Sequence, residues 1–118
     1  MRARFVLLLL PVLAVLAFGT AKADEFVTGT EDVPLMPGLA MIEGSALVFD
    51  KPEGRIVEAQ ARGAISRAKI QAFYAASLPQ LGWKKAGNDQ WRRDTERLKL
   101  DFHGEDGHLT VGFTLLPQ

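Results

Sequence analysis

Residues Leu98–Leu116, LKLDFHGEDGHLTVGFTLL, decide the fold. Apolar side chains recur at every second position on both sides of a Gly- and Asp-containing turn, the period of a strand with one buried face. With His103 placed opposite His108 across GEDG, Phe102 meets Leu109, Leu100 meets Val111 and Leu98 meets Phe113. The other face then carries Lys99, Asp101, His103, His108 and Thr110. A slip of one residue would send the two apolar rows to opposite faces, so the facing of this hairpin is strongly specified. An antiparallel sheet with one dry and one wet face follows, and the dry face needs a cover.

The cover is written upstream. Ile70, Phe73, Tyr74, Ser77, Leu78 and Leu81 fall at helical spacing and form one stripe. Ser66 suits the N-cap, Pro79 should kink or end the helix, and Gly82 suits the left-handed position beyond its end. The densest aromatic segment, FYAASLPQLGW at Phe73–Trp83, is therefore mainly core, with Trp83 starting the next element.

Further strands flank this pair. SALVFD (Ser45–Asp50), the turn DKPEG and RIVEAQA from Arg55 read as a hairpin closed near Gly63. Trp83–Ala86 and Gln90–Asp94 flank turn residues at Gly87–Asp89, in a register that leaves open whether Trp83 and Trp91 share a face. In EDVPLMPGL, prolines at 34 and 37 predict an extended run and a turn at Pro37–Gly38. The P-x-x-P spacing also occurs in partner-domain ligands. Flanking Val33, Leu35, Met36 and Leu39 favour a segment packed on its own core. The fold class is α+β: a single helix packed on one face of a small, mainly antiparallel sheet of five or six strands.

The N-terminus carries an address. Arg2 and Arg4 precede the uncharged run Phe5–Phe18, and Ala21 and Ala23 occupy the small-residue positions before a cleavage site. Residues 1–23 are expected to be a signal peptide cut between Ala23 and Asp24. Residues 24–31 should form a flexible lead-in, and 32–118 a single domain. The run is short for a permanent span, which needs about 20 apolar residues. A periplasmic or secreted product with no stable transmembrane segment is the expectation. Cleavage would leave eleven basic against fourteen acidic residues, a formal charge of −3, with no push towards nucleic acid. The absence of cysteine excludes disulfides and a lipid-modified cysteine.

The segments DVPLMPGL, GRIVEA and FYAASLPQLGW, followed by a short β tail, resemble uncharacterised small exported proteins of Gram-negative bacteria. The resemblance covers roughly Asp32 to the C-terminus and implies export and an α+β domain, with no activity and no catalytic residues.

Little in the chain points to catalysis. There is no thiol, no G-x-S-x-G nucleophile elbow and no Gly-rich phosphate loop. Ser66 reads as a cap, and the histidines have no evident serine partner. The protein is read as a non-enzyme with no cofactor. Two surfaces carry functional candidates. His103 and His108, facing one another about 5 Å apart with Asp101 on the same face, have the donor types of a zinc or copper site. A solvated histidine pair is the plainer reading. Trp83, Lys84, Lys85, Trp91, Arg92 and Arg93 combine aromatic and cationic groups, continued by Arg97 and Lys99, and suit stacking and charge recognition. Asp89, Asp94 and Glu96 dilute that charge, so a solvated hairpin is the competing reading. In an exported protein the partner would be an envelope protein or an anionic lipid surface. A non-enzymatic periplasmic interaction module, using this hairpin or an exposed sheet edge, is the function favoured here; the alternative is a metal-binding exported protein using the histidine hairpin.

Overall fold

The structure, a computed structural model, describes residues 25–118; the expected signal peptide and its cleavage site lie outside them. Among the described residues no helix is long and apolar enough to cross a membrane.

Seven strands form one sheet in which every pairing is antiparallel: β1 (Ala40–Met41), β2 (Leu47–Lys51), β3 (Gly54–Gly63), β4 (Lys84–Gly87), β5 (Gln90–Arg93), β6 (Glu96–Glu105) and β7 (His108–Pro117). Their order is β1-β3-β7-β6-β5-β4, with β2 beside β1 on the same side of β3. The count exceeds the expected five or six because Ala40–Met41 pairs with the far end of β3 as an additional short strand.

A helix, α1 (Arg67–Ser77), and a 3-10 turn, Leu78–Leu81, lie over one face. The Ser66 side chain accepts from the Lys69 N–H at 3.2 Å, as its residue type predicted. Pro79 has no N–H to continue the α-helical ladder, and the chain tightens before Gly82 takes φ 90°. Ile70, Tyr74 and Leu78 are buried, Phe73 is half-buried, and Leu81 is 38% exposed. The aromatic segment is core, as its spacing indicated.

The β6–β7 hairpin keeps its expected facing and changes its register. Glu105 pairs with His108 around a two-residue Asp106–Gly107 turn, so Leu98 meets Leu115, Leu100 meets Phe113 and Phe102 meets Val111. The chain reverses at Asp106–Gly107, where Gly107 supplies the left-handed φ of 91° that the tight turn needs, and this turn displaces the four-residue GEDG loop. The slip is by two residues, so the apolar rows stay together. Its consequence is local: His103 stands opposite Thr110, and the two histidines no longer face each other.

Two further segments settle against the core. Met36–Leu39 is a turn closed by Leu39 N–H to Met36 C=O at 3.0 Å, and Val33, Leu35 and Leu39 are buried. The expected lead-in is instead packed structure: Val27 N–H donates to Val33 C=O at 2.8 Å, and Val27 is fully buried. Val27 beside Phe26 has no periodicity to betray it, yet its burial stabilises the segment it sits in.

Candidate interaction surface

Strand pairing sorts the sheet's charges by face. Trp91 lies opposite Lys85, and Arg93 opposite Glu96, on the helix side. Trp83 and Trp91, expected as a stacking surface, are only 2% and 5% exposed. Both belong to the core, because the dry face of a sheet this small must bury its largest apolar side chains. Arg93 also turns inward. It holds Asp32 at 2.6 and 3.1 Å, and its guanidinium lies 4.3 Å from the centre of the Trp83 ring. The hydrogen bond to Asp32 raises its already high pKa. Its charge is committed to structure.

The remaining cations face outward. Lys84 is opposite Arg92, Arg92 opposite Arg97, and Arg97 opposite Leu116, forming one row across four strands. Opposed side chains on neighbouring strands sit about 5 Å apart at Cβ, where like charges destabilise. Among the described residues none of Lys84, Arg92, Arg97 and Lys99 has a carboxylate within salt-bridge distance. The Arg97 Nε is buried without a hydrogen-bond partner. The row therefore concentrates positive charge that the fold itself leaves uncompensated.

The same face becomes apolar at its other side. Phe49 pairs with Ile56, and the Val57–Leu115 pairing brings Ile56 beside Leu116. Leu47, Val48 and Phe49 are 49%, 46% and 51% exposed on strand β2, which among the described residues is paired only with β3. This exposed edge was missed as a site in the sequence, where SALVFD read simply as half a hairpin. The available signal was three consecutive apolar residues in a strand, which cannot all point into one core.

The histidine candidates are less organised. His103 Nε2 lies 2.7 Å from Asp101 Oδ1, and the Asp101 carboxylate sits over Gly112, where a Cβ would meet it at 2.6 Å. His108 instead faces Glu105. Among the described residues no three His, Cys, Asp or Glu side chains converge as metal ligands.

Concavities among the described residues on the helix side include two larger ones. One of about 460 Å³ has Arg67, Gln71, Lys85 and Asp89 among its lining residues. Gln71 donates to Asp89 at 3.0 Å, and Arg67 lies 3.9 Å from it, so much of this polarity is internally satisfied. The other, about 840 Å³, is lined by Met36, Met41, Leu35, Leu39 and Phe73, with exposed Phe26 at its margin.

No family model matches the chain, and no curated protein or solved structure is detectably similar to it.

Proposed function

We propose that the protein is a non-enzymatic interaction module of the bacterial envelope, acting after export, and that it docks through the open face of its sheet on an anionic surface. One observation carries this reading: the row Lys84–Arg92–Arg97, directly opposed and without carboxylate partners among the described residues. Lipid headgroups are favoured over an acidic protein because the row runs into Leu116, Ile56 and Phe49. Cations beside exposed apolar side chains suit the boundary between headgroups and acyl chains. Export and the resemblance to small exported proteins belong to the same proposal.

Co-sedimentation with vesicles tests it. The protein should bind vesicles rich in phosphatidylglycerol, release them as salt rises, and ignore neutral phosphatidylcholine vesicles. Each cation near an anionic surface contributes about 1 kcal/mol. Replacing Lys84, Arg92 and Arg97 together by threonine should therefore weaken binding about 100-fold. The same replacements relieve like-charge contacts, so thermal stability should hold or rise. Failure to bind anionic vesicles at low salt would overturn the lipid reading and direct the search to acidic proteins.

The alternative is metal capture at His103 and His108 with Asp101; the 2.7 Å contact between His103 and Asp101 brings two of these donors together, while His108 faces Glu105. It predicts calorimetric zinc binding that disappears when both histidines become alanine; no heat with the unaltered protein would exclude it.

A further inference from the structure

Among the described residues the sheet ends at β4 on one side and at β2, beside the two-residue β1, on the other, and these edges are built differently. Strand β4 carries Lys84 and Lys85 and loses register before Gly87, the usual defences of an edge against pairing. Strand β2 presents Leu47, Val48 and Phe49 in a row, with its charges Asp50 and Lys51 confined to the turn end. An unguarded apolar edge is a template for another strand.

We propose that this edge is the seam of a symmetric dimer, in which two copies of the chain pair their β2 strands antiparallel about a two-fold axis through Val48. The backbone phase permits it. Lys51 and Gly54 close the two-residue turn at Pro52–Glu53, so Lys51, Phe49 and Leu47 direct their backbone groups to β3, while Val48 and Asp50 direct theirs outward. Two copies centred on Val48 then exchange N–H and C=O at that residue.

Side-chain matching selects this register. Leu47 of each copy lies opposite Phe49 of the other, Val48 opposite Val48, and Asp50 opposite the small Ala46. A shift by two residues in one direction sets Val48 against Asp50 and Leu47 against Lys51. The opposite shift sets Phe49 against Ser45, whose hydroxyl is already bonded to Gln60. The ends also match in charge: Lys51 pairs two positions short of Glu43 of the other copy, within diagonal reach of a long side chain. Because antiparallel neighbours share faces, both open faces point the same way. The inference rests on the edge and stands independently of the anionic-surface reading.

A seam of five residues, about 17 Å long, covers less area than the roughly 1,200 Å² of a stable interface. The dimer is accordingly weak, with Kd in roughly the micromolar to millimolar range. Sedimentation equilibrium on the processed protein should show a monomer–dimer equilibrium below about 1 mM. Val48→Lys, at a half-exposed site, should abolish it while leaving the circular dichroism unchanged. Since the chain has no cysteine, Val48→Cys should oxidise to a disulfide dimer, the Cα separation of about 5.5 Å for such a pair lying within disulfide range. Lys85→Cys on the guarded edge should not. A wild-type protein monomeric at about 1 mM, a dimer that survives Val48→Lys, or equal crosslinking at both edges would overturn the proposal.

Discussion

Replacing Trp83 by alanine is expected to destabilise the protein by about 3–5 kcal/mol. Trp83 is among the largest fully buried side chains and links three parts of the molecule. Its backbone N–H donates to Leu78 C=O at 3.1 Å, which joins the 3-10 turn to the sheet. Its ring lies under the Arg93 guanidinium, which in turn holds Asp32 of the N-terminal segment. Alanine leaves a cavity and removes the plate on which Arg93 rests. In a domain whose total stability is of the order of 5–15 kcal/mol, that loss should appear as a large fall in the urea midpoint. Vesicle binding measured well below the melting temperature should be retained. A stable Trp83→Ala protein that had lost binding would return Trp83 to the interaction surface.

Tyr74→Ala should cost about as much, and here the hydroxyl adds a second effect. The phenol donates to Pro34 C=O at 2.7 Å and accepts from Met36 N–H at 3.3 Å, pinning the extended proline segment to the helix. The ring packs edge-on against Phe113 and Phe73. Tyr74→Phe keeps the packing and strands both backbone groups, at about 1–3 kcal/mol. Burial raises the Tyr74 pKa well above its ordinary value of 10.0. The stability linked to the neutral phenol is therefore complete below about pH 10 and is lost as pH rises towards the folded value. Its slope there should approach 1.4 kcal/mol per pH unit, and Tyr74→Phe should remove that component. The chain has one tyrosine, so phenolate absorbance reports this residue alone. It should appear together with unfolding; ionisation of the intact fold near pH 10 would refute the burial.

Much of this core was legible in local chemistry. Period-two alternation in β6 and β7 assigned the buried face, and helical spacing around Tyr74 identified the element that covers it. Ser66 and Gly82 marked the ends of that cover because capping depends on neighbouring backbone groups. The same local cues misjudged the histidine pair. Registers that differ by two residues bury the same side chains, and only the geometry of the Asp106–Gly107 turn separates them.

The candidate surface was less legible, since Lys84, Lys85, Arg92 and Arg93 are adjacent in sequence and divided in space. Once Trp91 points inward, alternation sends Arg92 out and Arg93 in, and Asp32, some sixty residues away, claims Arg93. Likewise, Leu47–Phe49 looked like any apolar strand until the strand order left it at an edge.

By itself, then, the sequence determined the class of fold, the helix with its caps, the faces of the last hairpin, and a chain without cysteine chemistry. These follow from periodicity and short-range backbone bonding, which act within a few residues. The tertiary structure alone decided the hairpin register, the burial of Val27 and both tryptophans, the uncompensated cation row and the open β2 edge. Each of these depends on which distant strands become neighbours, and that is settled by packing and pairing across the whole domain.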